Sequence, residues 1–347
     1  MPISLCNMRW VKKKQWWHKM GKIAKWPKKE RTIRNIGNYG IMIVFIIIVV
    51  LLSIAAPTFM TYSNIITILR QVSCIGIATI GVGILIIMNC IDLSIGSMFA
   101  LSGITAGLMV STGKEGLALP AIIGIIVGIA TGVVVGLFNG IIIAKGKIPP
   151  FIVTMGSMSI TRGLALILAH GMPVGSFPDS FTYLGTASID SNNLVPWSVL
   201  IFLLVILLMD FLMKRRPLGR YIYAIGGNEE AAMAAGIDTA RIKIKAYLLE
   251  GGLVGIGATL LASRLKSAAP ALGSGYELDA IAGAIIGGVS FLGGIGNVWG
   301  MVLGAVMIGV INNGMDLLGV QAFYKQIVKG TIIIIAVLVD RKRAGRA

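Results

Sequence analysis

The sequence is poor in charge. Only 13% of its 347 residues are Asp, Glu, Lys or Arg, about half the ~25% of a typical soluble domain. Hydrophobic residues make up 56% and the mean hydropathy is +0.87. So much apolar surface cannot all be hidden from water, which excludes a water-soluble globular enzyme. Long Ile/Val/Leu/Gly runs exclude a disordered chain. Cysteine is nearly absent: Cys6, Cys74 and Cys90 are odd in number and lie in a basic tail or in apolar runs, giving neither a disulfide framework nor metal-ligand spacing. The two histidines, His18 and His170, stand alone and read as buried or interfacial bystanders. No His-Glu-x-x-His pair, Ser/His/Asp set or Gly-x-x-x-x-Gly-Lys-Ser/Thr loop occurs, so the chain itself offers no metal, no cofactor and no P-loop ATPase site. The stretch Gly287–Gly294 imitates a phosphate loop but lacks the lysine and sits in an apolar run.

What is present is a series of apolar runs. At about 1.5 Å per residue, ~20 residues cross a hydrocarbon core of ~30 Å. Such runs predict an all-α membrane protein with about ten transmembrane helices, near 39–56, 65–88, 96–111, 118–143, 151–169, 197–213, 245–262, 280–296, 298–315 and 322–339. The domain plan is a basic tail (1–38), a membrane domain (39–340) containing a polar stretch at 214–244, and a basic end (341–347). The tail and first run imitate a signal peptide. The basic region is too long for one and Pro57 follows Ala55-Ala56 closely, so an uncleaved first span is expected. The eighth run carries Gly287-Gly288, Gly293-Gly294 and Gly296, which suit close packing or a broken, re-entrant helix.

The formal net charge of +17 does not indicate nucleic acid. Eleven Lys/Arg fall between Arg9 and Arg34, opposed there by Glu30 alone. Others cluster at Lys214–Arg220, Arg241–Lys245 and Arg341–Arg346. Each cluster borders an apolar run, as the positive-inside rule requires of cytoplasmic loops, and basic flanks attract anionic lipid headgroups. Both termini are therefore expected inside. The 170–196 segment, with Asp179 and Asp190 but no Lys or Arg, is expected outside.

Two halves echo each other. Ile91-Asp92-Leu93-Ser94-Ile95-Gly96 answers Glu277-Leu278-Asp279-Ala280-Ile281-Ala282-Gly283, and Gly136-Leu-Phe-Asn139-Gly140 answers Gly309-Val-Ile-Asn312-Asn313-Gly314. Repeated halves with interrupted helices are the pattern of many transporters, and the same matches also arise by chance in a Gly/Ile-rich chain. Among the acidic residues, Asp92, Glu250, Glu277, Asp279 and Asp316 lie in or beside apolar runs, where a carboxylate is costly unless it faces protein or water. Asp92, Glu277 and Asp279 either line a polar path and pin broken helices at a gate, or cap helix starts. Ser94, beside Asp92, belongs to the same candidate path. Asn139 and Asn312/Asn313 either hydrogen-bond a neutral polyol or bridge helices.

The polar stretch carries the strongest signal. Asn228 suits an N-cap, Glu229 and Glu230 suit the positive end of a helix, and Gly236 suits its C-terminal cap. With Ala231 and Ala232 between, this predicts a short cytosolic helix that serves as a knob for a soluble partner. Its acidic pair and Ala-rich body make a poor membrane face.

Five stretches together resemble the permease subunits of bacterial ABC importers for monosaccharides, the ribose/galactose/xylose/autoinducer-2 group, with the ribose type nearest. They are Ile91–Ser97; Gly136–Gly140 with Ile148–Gly156; Ala224–Ala232 with Gly236-Ile237; Tyr276–Ala282 with Gly287-Gly288; and Asn313-Gly314. The resemblance implies a homodimer or heterodimer of permeases, a cytosolic two-module ATPase that binds ATP and Mg, and an extracytoplasmic sugar-binding protein. It also implies that Glu230-Ala231-Ala232 and Gly236 dock on the ATPase. An ion-coupled secondary transporter is the rival reading. The long basic tail, with Trp10, Trp16, Trp17 and Trp26, departs from the family's short N-terminus and reads as a membrane-surface anchor.

Overall fold

The computed structural model describes residues 28–190 and 195–344. The tail's four tryptophans, Cys6 and His18 lie outside them. The described residues form thirteen helices and no strand beyond two isolated bridges. Contacts divide the chain at Ile47–Ile48, within the first helix, α1 (Lys28–Ala55).

The larger unit, 48–347, contains the other helices. The first set is α2 (Tyr62–Ile87), α3 (Ile95–Val110), α4 (Ala121–Gly146), α5 (Pro150–Leu168), α6 (Asp179–Thr186) and α7 (Trp197–Arg215). The second set is α8 (Pro217–Gly227), α9 (Glu229–Ala234), α10 (Thr239–Leu265), α11 (Tyr276–Ile286), α12 (Val298–Leu317) and α13 (Ala322–Ala344). Six of them, α2, α4, α5, α7, α10 and α12, are long and apolar enough to cross a membrane. The β-branched content of α4 would be a poor helix signal in water. In lipid a spanning segment must satisfy its own backbone groups, which leaves the helix as the only solution for a single segment.

The core is built around α10, which packs against α2, α3, α4 and α6. Its closest neighbour is α4, and the reason is a stripe of glycine at every fourth residue: Gly124, Gly128, Gly132, Gly136 and Gly140, all buried. A Cβ on Gly132 would fall on the Gly251 carbonyl and lie 2.9 Å from the Gly255 nitrogen. The two backbones touch, and α4 turns its Ile, Val and Leu side chains, Ile143 excepted, away from the core. Small residues spaced by four permit this approach, and dispersion at the contact replaces the hydrophobic drive that is missing in lipid.

Two elements are interrupted. After α2 the chain turns at Asn89 (φ +60) and stays non-helical until Ile95. After α10 it runs through Gly273 and Gly275, both at positive φ, into α11. That helix has 11 residues, about 16 Å, half of a hydrocarbon core. Beyond it, Gly288, Gly293, Gly294 and Gly296 all hold positive φ. The eighth run, expected near 280–296 with glycines that suit a broken or re-entrant helix, is a half-helix followed by glycine turns.

The half-helices start together and run apart. Gly96, at the start of α3, lies against Gly273 and Glu277 at the start of α11. At one end of the bundle the Gly294 N–H donates to the Ile87 carbonyl at 2.8 Å, joining the glycine turns after α11 to the end of α2. At the other end the Ser111 hydroxyl donates to the Gly175 carbonyl, and Val174 pairs with Ala268. The segment 170–196, expected simply as an outside loop, contains α6. Phe181 of α6 is fully buried, its carbonyl accepts from Ser263 Oγ at 2.7 Å, and the Gly185 N–H donates to the same hydroxyl oxygen.

Candidate functional site

The first cluster lies in the break between α2 and α3. Asp92 is fully buried; its Oδ1 accepts from the backbone N–H and the hydroxyl of Ser94, both at 2.6 Å. The carboxylate therefore ties the turn that starts α3, a local bond typical of Asp two residues before an N–H. Its Oδ2 accepts from Asn139 Nδ2 of α4 at 3.1 Å, and the same amide nitrogen lies 3.1 Å from Ser94 Oγ. The structure thus brings Asp92, Ser94 and Asn139 together. The Tyr247 hydroxyl donates to the Ile91 carbonyl at 3.1 Å, fixing the break to α10. One turn on, Glu250 is buried against Gly81, and neither of its carboxylate oxygens has a hydrogen-bond partner.

The second cluster repeats the first in the other half. Asp279, in the first turn of α11, accepts from Asn312 Nδ2 of α12 at 3.0 Å. Asp92 stands to Asn139 as Asp279 stands to Asn312, which is the pairing the echoed segments align. Asp279 also accepts from Lys329 Nζ of α13 at 2.8 Å. Asp279 is 1% exposed and the Lys329 side chain 18%, so the two charges neutralise each other away from bulk water, where one left alone would be costly. Among the described residues no cation pairs with Asp92 in the same way. Sequence reasoning missed Lys329, because Lys325 stands one turn away in the same helix and nothing local shows which carboxylate either lysine reaches.

Glu277 and Asn313 stand apart from these clusters. Asn313 forms a reciprocal amide pair with Asn64 of α2, each Nδ2 donating to the other Oδ1 at 2.8–2.9 Å. Both amides are thereby committed to joining α2 and α12. Glu277 sits where α3 and α11 begin. The half-buried Arg162 of α5, another residue that sequence reasoning missed, donates to the Pro270 and Leu272 carbonyls of the segment leading into α11.

The third element is the polar stretch, which forms two helices where one was expected. Asn228 is the N-cap of α9; its Oδ1 accepts from the Ala231 N–H at 2.9 Å. Gly236, at φ +85, ends the turn, and the Ile237 N–H donates back to the Ala232 carbonyl at 3.1 Å. Glu229 pairs with Lys243 of α10 at 2.6 Å. Ala232 is buried, while Glu230, Ala231, Met233, Ala234, Ala235 and Gly236 are exposed. The result is a small, rigid, mostly apolar knob with one free carboxylate.

Helix α8 links this knob to the broken elements. The Tyr223 hydroxyl donates to the Gly296 carbonyl at 2.8 Å. Burial, and secondarily the charge of Asp210, raises that phenol above its ordinary value and keeps it a donor. At the end of α8, a Cβ on Gly226 would fall on the Ile87 carbonyl and lie 2.7 Å from the Gly294 nitrogen. The end of α8 therefore touches the segment after α2 and the segment after α11 at once. Among the described residues no group of three or more His, Cys, Asp and Glu is placed to hold a metal ion.

Comparison with known proteins bears on this arrangement. The model of a family described as the permease component of branched-chain amino acid transport systems matches residues 64–337. The ribose import permease protein of Bacillus subtilis (strain 168) is 41% identical over 297 residues, covering 85% of this chain and 89% of its own. The ribose import permease protein of Escherichia coli (strain K12) is 38% identical over 294 residues, 84% and 90% of the two chains. The D-allose transport system permease protein of the same strain is 36% identical over 289 residues, 83% and 86%. No solved structure matches the chain.

Proposed function

Since the chain belongs to this family of transport-system permease components, we propose that it forms the membrane pathway of an ATP-driven importer for a monosaccharide of the ribose or allose kind. The observation that carries the reading is the capped, exposed α9 knob, joined through α8 to both interrupted elements of a membrane core. Relatives named for ribose and allose uptake support the sugar class. The partners are a cytosolic two-module ATPase, which supplies the ATP and Mg chemistry, an extracytoplasmic sugar-binding protein, and a second permease, identical or sister. Both termini and the α8–α9 stretch lie on the cytoplasmic side of the inner membrane, where the basic clusters belong.

Residues of this chain perform the coupling in three steps. Glu230, Ala231, Ala232 and Gly236 form the knob and its base that the ATPase holds. Lys243, paired with Glu229, and Tyr223, bonded to Gly296, transmit displacement of the knob to α10 and to the glycine turns. Gly226 then bears on the end of α2 and on the glycine turns after α11 together, so one push reaches the segments that lead to both interrupted elements. Asp92, Ser94, Asn139 and Asp279 spend most of their polar atoms on internal bonds that keep the broken backbone in shape. That leaves a weakly polar path, suited to a neutral solute whose affinity resides in the binding protein.

The test is reconstitution of the chain with its co-purifying ATPase and binding protein in liposomes. ATP-dependent uptake of a labelled pentose or hexose, lost on Glu230→Lys while the permease stays folded, is the expected result. Uptake that needs no ATP and follows an ion gradient overturns the reading.

A further inference from the structure

The first turn of α11 carries two carboxylates, and only Asp279 has a direct cationic partner. Glu277 faces the other way. Its carboxylate is solvated by the backbone N–H groups of Gly275 and Glu277, at the N-terminal end of its own helix. The same carboxylate lies against Gly96, the second residue of α3: a methyl group there would fall on Glu277 Oε2 and stand 2.5 Å from the Gly273 carbonyl. One negative group therefore sits at the positive ends of two half-helices that belong to opposite halves of the chain and run in opposite directions. A carboxylate in the first turn of a helix is stabilising because the unpaired N–H groups there carry a partial positive charge, and here one carboxylate serves both ends.

The surroundings are made to hold this contact. Gly273, at φ +72, approaches Phe99 of α3, and a Cβ on it would lie 2.9 Å from the Gly96 carbonyl. Phe99 and Tyr276 meet edge to face with centroids 5.2 Å apart. The segment leading into α11 is held by Arg162, whose guanidinium also acts on Glu277 through its charge. Removing either half-helix from the junction would leave Glu277 with one helix end instead of two. The contact is small in area: the Glu277 carboxylate against Gly96, backbone against backbone at Gly273, and the Phe99–Tyr276 edge, so separating it costs few contacts.

We propose that Glu277 is the releasable tie between the two halves of the permease, a positioning residue whose separation from the start of α3 lets the pathway open. This rests on the transport reading above. With Glu277 and Gly96 together the half-helices close the middle of the bundle, and a push delivered at Gly226 moves α11 relative to α3 and breaks the tie. Arg162 keeps Glu277 and the segment before α11 in register for its re-formation.

The experiment uses the reconstituted complex of permease, ATPase and binding protein, comparing the wild type with Glu277→Gln, Glu277→Asp and Gly96→Ala. Glu277→Gln keeps the volume and removes the charge. It is expected to raise ATP hydrolysis without substrate about tenfold and to lower substrate imported per ATP correspondingly, as a loosened closed state would. Its melting temperature should stay within a few degrees of wild type, so a purely structural role would not give this pattern. Glu277→Asp should restore most of the coupling, and Gly96→Ala, which displaces the carboxylate, should reproduce the Gln phenotype. A Glu277→Gln complex whose hydrolysis and import ratio equal those of the wild type overturns the tie. A wild-type complex that imports no sugar overturns the functional reading itself, so the two failures are distinct.

Discussion

Lys329 and Asp279 form the residue-scale interaction with the largest consequence for stability. Removing one partner of a buried ion pair leaves the other charge uncompensated, at about 3–5 kcal/mol, whereas removing both is far milder. Lys329→Ala should therefore lower the thermal stability of the purified protein sharply, and Lys329→Ala with Asp279→Ala should recover most of it, read by thermal unfolding in detergent. Asn228→Ala removes the acceptor for the Ala231 N–H and should cost about 1 kcal/mol of α9. It should weaken capture of the ATPase while leaving the melting temperature of the membrane core unchanged. Legibility differs between these sites. The Asn228 cap was readable because all its parts lie within ten residues. The partners Asp92 and Asn139 were readable as one half of an echo, though their contact was not. The Asp279–Lys329 pair spans fifty residues with no local pattern, so only packing reveals it.

At the scale of elements, α4 and α10 show how a membrane helix is placed. Every fourth residue from Gly124 to Gly140 is glycine, and that stripe is the face that packs, so the orientation of α4 was written in its sequence. Gly132→Leu would push a side chain into the Gly251 carbonyl and force the backbones apart, at about 3 kcal/mol. The expected outcome is a loss of folded protein, measured by size-exclusion profile, with no such loss for Ile122→Leu on the exposed side. Helix α11 behaves differently. Its residues are as apolar as those of a spanning helix, and composition alone predicted a crossing at 280–296. The glycines that follow it permit positive φ, but they did not say where the helix would stop. Gly226 shows the same limit: the need for glycine arises from Ile87 and Gly294, distant residues that only the fold brings to it. Gly226→Val should uncouple ATP hydrolysis from uptake, read as sugar imported per ATP, while α9 still binds the ATPase.

For the whole molecule, the arrangement of halves ties sidedness to function. If the α8–α9 stretch faces the cytosol, the turn at Lys266 and Ser267, next to the Val174–Ala268 bridge at the other end of the bundle, faces the opposite compartment. In a chain with its three cysteines replaced, Ser267→Cys should react with a membrane-impermeant thiol reagent in intact cells. Ala235→Cys should react only after the membrane is opened, and labelling of both from one side would sink the topology. By itself the sequence determined the solvent, the class and the knob. Low charge with long apolar runs requires helices in lipid, because backbone groups there must be satisfied within the segment. Basic clusters set the predicted orientation, and a cap, an acidic pair and a glycine fall within one short stretch. The tertiary structure alone decided where α11 stops, where the starts of α3 and α11 meet, and which carboxylate is paired with Lys329 or tied by Asn139. These depend on contacts between residues tens to hundreds of positions apart, and in a chain whose apolar faces look alike to lipid, close packing and a few buried polar bonds choose among the possible arrangements.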